Sequence, residues 1–260
     1  MLSHLKYVTQ SIWSLLDTAW YFAWGDLKTR YKRSVLGPMW LVLGTAIGVV
    51  GLGYVWATLL NMDADEFVPL LTVGLVVWQL VSTCLTESSN VFYKNASVIR
   101  NLKVSFWLFP LQLLMKHFLY FLHNLTVVVV VFIIFNVPLS WVQLMAIPGL
   151  FIVLINMLWV IVFVGVFATR YRDIEAFLSS VMPLLFFLSP VLYKPSNLGI
   201  KSQLAWLNPF TYLITVIRDP LQGNLPPMFV YVVSLVMLFV GWVVTWRLFV
   251  RKQNRIVFWM

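Results

Sequence analysis

Apolar residues dominate this chain in long runs separated by short polar turns, and within the runs no face is reserved for polar side chains. A helix that is apolar all round belongs in a protein core or a membrane, and runs of about 20 residues match a hydrocarbon layer about 30 Å thick. On that basis spans are predicted over 36–60, 68–86, 109–135, 142–169 and 228–249. A further apolar run at 176–192 is shorter and interrupted by Pro183 and Pro190. A helix of 16 residues reaches only about 24 Å, less than the hydrocarbon core. The stretch 193–227 carries apolar patches too short to span, broken by Pro195, Pro209 and Pro220. It reads as re-entrant or interfacial helices, tolerable where protein or a wet cavity satisfies the backbone. The expected fold is an all-α integral membrane protein of about six transmembrane helices, forming a single domain over 1–260.

Residues 1–35 carry a different pattern. Trp13, Leu16, Trp20, Trp24, Leu27 and Tyr31 recur at helical spacing, with Asp26, Arg30 and Arg33 turned away. This is the signature of an amphipathic helix lying at the membrane interface. In the first span Gly44 and Gly48 form a G-x-x-x-G pattern followed by Gly51, a spacing that permits close helix approach, although glycines scattered on a lipid-facing helix look the same.

Composition agrees with lipid as the solvent. Of 260 residues 61% are hydrophobic and 10% charged, with a mean hydropathy of +0.89, too few charges to clothe a soluble domain of this size. The net charge of +9 does not point to nucleic acid, because the basic residues sit beside apolar spans and not on one soluble face. Lys194, Lys201 and Arg218 are assigned to the outer side and Lys116 to a span end; the rest of the 18 Lys and Arg fall in segments assigned to the cytoplasm. That asymmetry predicts an even number of crossings with both termini cytoplasmic. No cleavable signal pattern is read at the N-terminus, so the first long span is expected to direct insertion. The lone Cys84 excludes an intrachain disulfide and reads as a small apolar residue.

The sequence holds no phosphate-binding loop, no H-E-x-x-H and no G-x-S-x-G motif. An ATP-driven process therefore requires the ATPase as a separate chain, and no metal or cofactor is expected. Ionisable residues near the spans reduce to His117, His123, Lys116 and Glu87, which is sparse for a proton-coupled carrier. His123 with Asn124 suits an interhelical hydrogen bond, with a ligand role the other possibility.

Several segments, taken in order, carry a resemblance: DLKTRYKRSVLGPMW (26–40), NASVIRNLK (95–103), FLHNL (121–125), RYRDI (170–174), FFLSPVLYKP (186–195), LNPFTYLI (207–214) and IRDPLQG (217–223). The chain resembles the membrane subunits of type-2 ABC exporters that move lipid-linked polysaccharide, such as O-antigen or capsule, across the bacterial inner membrane. The resemblance implies a homodimer enclosing a channel, with two ATP-binding cassette subunits docked below. Alternatives are a permease of the same superfamily for another lipid, teichoic acid or drug, and a membrane-embedded glycosyl- or phosphotransferase.

Roles follow for particular residues. Lys28, Arg30, Lys32 and Arg33 are candidates for the pyrophosphate of an undecaprenyl-linked glycan, since Arg pairs well with phosphate oxygens; fixing topology and binding anionic membrane lipids is the alternative. Asn95, Val98, Ile99, Arg100, Leu102 and Lys103 would form a coupling helix, its apolar side seated in the ATPase. Tyr54, Trp56, Trp78, Phe186, Phe187, Tyr193, Trp206, Phe210 and Tyr212 lie towards the outer side, where aromatic rings either stack on sugars or anchor the chain in lipid. Arg218 and Asp219 would belong to an external gate within 193–227.

Overall fold

Each long apolar run becomes a helix. A computed structural model describes residues 2–32, 34–37, 39–102, 104–195 and 202–260, and among these there is no strand. In order come α1 (Leu2–Tyr31), α2 (Met39–Leu60), α3 (Ala64–Ser88), α4 (Ala96–Asn101), α5 (Leu108–Ile134), α6 (Ala146–Arg170), α7 (Asp173–Leu188), α8 (Ser202–Trp206), α9 (Pro209–Leu221) and α10 (Met228–Trp259). Five described helices are long and apolar enough to cross a membrane: α2, α3, α5, α6 with its leading turn, and α10.

Helix ends carry local signals. Asp63 caps α3, its carboxylate accepting from the Asp65 amide at 3.0 Å, and Asp65 and Glu66 sit in the first turn, where the helix dipole favours negative charge. Asn208 caps α9 by accepting from the Phe210 amide at 3.0 Å, with Pro209 opening the helix.

The bundle has a basic end and an acidic end. At the first, Arg172 lies over the Tyr93 ring at 3.7 Å and Arg170 over Trp259 at 5.1 Å. At the second, Asp63, Glu66, Asn136, Lys194 and Asn224 line one hollow, and Lys194 approaches Glu66 at 3.4 Å. The 16-residue α7 starts beside the basic end, and the turn that follows it lies against Gly74, ten residues into α3.

α3 is the central helix, buried over most of its length between α2, α5, α6, α7 and α9. Close approaches depend on glycines other than those picked out by spacing. A Cβ on Gly74 would meet the Val191 carbonyl oxygen at 2.8 Å, and one on Gly149 would collide with the carbonyl oxygen of Val216. Those two glycines let the 189–193 turn and α9 settle directly on the backbones of α3 and α6. In the first span Gly48 meets only Leu75, at 3.6 Å, whereas Gly44 and Gly51 face nothing within 4 Å inside the chain.

The stretch following α7 is more deeply embedded than an interfacial cap. α9 buries Thr211, Leu213, Ile214, Val216, Ile217 and Arg218 against α3, α6 and α10. The buried edge of α1 is Ala19, Ala23 and Leu27, the last two clustered with Leu119 of α5, while the predicted aromatic stripe keeps Trp13, Trp20 and Trp24 exposed on the outside of the bundle. Alanine permits close helix contact; bulky indoles stay on the flank.

Candidate functional site

Polar side chains inside an apolar bundle are informative because each must find a partner or a use. Three helices contribute a hydrogen-bonded set. The Asn124 amide of α5 donates to Gln79 Oε1 of α3 at 2.9 Å. The Thr45 hydroxyl of α2 lies 3.0 Å from Asn124 Oδ1 and 3.1 Å from Gln79 Oε1. Asn124 is therefore an interhelical tie, as one of its sequence readings had it. His123 instead turns to its own helix, its Nδ1 2.7 Å from the Leu119 carbonyl, with its ring 6.3 Å from that of Tyr31.

Towards the basic end the polar strip continues. Lys116 donates to Glu87 at 2.5 Å, His117 Nε2 stands 3.4 Å from the same carboxylate oxygen, and the Nδ1 of this buried histidine has no hydrogen-bond partner among the described residues. Glu87 and His117, with Thr45, Gln79 and Asn124, wall a chamber of about 400 Å³ between α2, α3 and α5. Arg30 of α1 borders it with its guanidinium 5.1 Å over the Tyr120 ring, a cation–π arrangement. Gly44 and Trp40 of α2 complete the rim.

The basic patch anticipated at 28–33 is divided. Lys28 lies 5.9 Å over Trp24 on the same helix, while Arg30 turns to the chamber. Lys32 follows the helix end in a turn, and Arg33 lies outside the described residues. The helical register explains the division, since positions 28 and 30 point to nearly opposite sides of a helix.

The segment expected to couple to an ATPase does form a short helix, α4, preceded by a single 3-10 turn at Tyr93–Asn95. Its surface is not the expected one. Ile99 is buried at 9% exposure while Val98, Arg100 and Leu102 point outward, because the helix needs one apolar anchor to lie against the bundle. Asn95 donates to the Val91 carbonyl at 2.8 Å, and Lys103 lies outside the described residues.

The outer aromatics separate into groups. Trp78 contacts Phe186 and Phe210, with ring centroids 5.9 and 5.8 Å apart, and Phe187 links Phe186 to Trp56 at 5.2 and 6.4 Å. Trp78, Phe186 and Phe187 flank an open groove between α3 and α7 that also presents Ser82, Thr86 and Ser179. Trp206 and Tyr212 pair separately at 5.3 Å. The Tyr193 hydroxyl donates to the Leu188 carbonyl at 2.9 Å. Tyr54 joins neither group and is 78% exposed on α2.

Arg218 is fully buried. Its guanidinium donates to the carbonyls of Pro190 and Tyr193, the latter at 3.0 Å, and to Asp219 at 2.8 and 3.0 Å. Sequence reasoning overlooked Gln79 and Thr45, although an amide midway along an apolar span was a visible signal.

The chain is similar to known proteins over most of its length. The family described as ABC-2 type transporter matches residues 18–221. Two Klebsiella pneumoniae proteins named O-antigen export system permease protein RfbA are 30% and 26% identical to it, each alignment covering 75% of this chain and 76% of the relative. A Myxococcus xanthus protein of the same name is 22% identical, over 73% of this chain and 74% of its own.

Proposed function

We infer that this chain, which belongs to the ABC-2 type transporter family, is the permease for a lipid-linked polysaccharide of the O-antigen kind. The observation that carries the reading is the 30% identity to a protein named as an O-antigen export permease, extending over three quarters of both chains. In this reading the chain lies in the bacterial inner membrane with both termini in the cytoplasm. Two copies enclose the conduit, and hydrolysis of ATP is supplied by separate subunits.

The groove between α3 and α7 supports the pairing. It offers aromatic faces beside the Ser82, Thr86 and Ser179 hydroxyls, a lining that suits sugar rings, which present apolar C–H faces and polar edges. A groove open on one side becomes a channel when a second copy closes it, and twofold pairing is the commonest oligomer. The exposed Arg100 and Leu102 at the basic end provide a surface for the ATPase, and Arg30 a cation for the lipid diphosphate.

Deleting the gene in its cell of origin is the test. Completed lipid-linked glycan should then accumulate on the inner leaflet and vanish from the surface, and return of the gene should reverse both. Undiminished surface glycan refutes the reading.

A further inference from the structure

The chamber behind Arg30 contains more recognition chemistry than a structural tie requires. His117 is 1% exposed, its Nε2 stands 3.4 Å from the Glu87 carboxylate, its Nδ1 has no hydrogen-bond partner among the described residues, and it lines a space of about 400 Å³. A buried polar group left unmatched is unfavourable unless water or a ligand completes it. The size lies within the range of small-ligand sites. Around the same space stand the Gln79 and Asn124 amides, the Thr83 hydroxyl and the Glu87 carboxylate. Groups of this kind serve neutral molecules bearing several hydroxyls, because an amide both donates and accepts, a carboxylate accepts, and a hydroxyl can answer either. Among the described residues Arg30 is the one cation on the rim, so a charged group is accommodated at the mouth and an uncharged polar one deeper in.

Gly44 adds an independent observation. It lies on the chamber wall, and a Cβ built there meets nothing within 4 Å. A missing side chain at this position leaves room between α2 and the interior without serving any contact inside the chain.

We propose that the chamber walled by Gly44, Gln79, Thr83, His117 and Asn124 receives the sugar ring joined to the diphosphate of the exported lipid, while the diphosphate stays at Arg30. The inference rests on the lipid-linked substrate proposed above and adds a sugar-reading site within one copy, separate from the groove between α3 and α7. Discrimination of the first sugar would then occur before translocation begins.

The test uses the full-length chain in lipid nanodiscs and two probes: undecaprenyl diphosphate, and undecaprenyl diphosphate carrying one N-acetylglucosamine. Wild-type protein should bind the sugar-bearing lipid about tenfold more tightly, the effect of one or two net hydrogen bonds. Gly44→Leu, which fills the chamber, and His117→Phe, which keeps the ring volume and removes the nitrogens, should bring the ratio to about one. Gly51→Leu, two turns along the same helix and outside the chamber, should keep the wild-type ratio. Equal affinity of wild-type protein for both probes, the outcome if the chamber holds only water, overturns this inference and leaves the proposed function standing. A ratio unchanged in both chamber variants also overturns it. Binding of neither probe overturns the lipid-linked substrate as well.

Discussion

Arg218 and Asp219, adjacent in sequence, form an ion pair of 2.8 Å with no part of the guanidinium exposed. The pair is one half of a larger arrangement, since the same guanidinium holds the backbone carbonyls of Pro190 and Tyr193. The turn after α7 is thereby fastened to α9. A buried cation in such a place is tolerable because every donor direction it uses meets an oxygen.

Removing the counter-charge should therefore be costly. Asp219→Asn leaves a buried guanidinium without its anion, and the expected loss is on the order of 3–5 kcal/mol, the range for breaking a buried pair. The readout is the thermal unfolding midpoint in detergent. Arg218→Lys should also destabilise, because an ammonium cannot spread its donors over Asp219 and two carbonyls at once. If both variants unfold at the wild-type temperature, the pair is no fastening.

The tie between α3 and α5 should be measurable but modest. A double-mutant cycle of Gln79→Leu and Asn124→Leu is expected to give a coupling of about 0.6–1.7 kcal/mol, as for other hydrogen bonds between membrane helices. Thr45 shares both acceptors, so Thr45→Val should weaken the coupling without abolishing it.

Glycines of the same residue type should respond differently. Gly149→Ala sets a methyl group against the Val216 carbonyl, and overpacking of this kind destabilises by about 1–3 kcal/mol. Gly51→Ala adds a methyl group to open space and should leave the stability of the single chain unchanged. Comparing both thermal midpoints checks the assignment of close contacts.

At the proposed ATPase surface, exposure separates folding from docking. Arg100→Glu and Leu102→Glu alter outward residues, so the chain should insert and unfold as wild type while co-purification of the ATPase falls at least tenfold. Ile99→Ser alters the buried anchor and should lower the thermal midpoint first. Full ATPase recovery with the two glutamate variants would remove α4 from the interface.

The sequence alone determined the class of this protein and the order of its elements. Long unbroken apolar runs leave the chain no choice but helices in lipid, since every backbone polar group there must be satisfied within its own segment. The ordered short motifs carried the family resemblance, and the polar Asn124 suggested a tie between helices. Only the tertiary structure decided which glycines bring backbones together, which face of α4 is free, and that Arg30, Gln79, Glu87 and His117 share one chamber. The physical reason is that an apolar span lacks the polar face that orients a helix in water. With lipid and core equally apolar, hydropathy fixes depth but not rotation, and rotation is set by small residues and buried hydrogen bonds from partners distant in sequence.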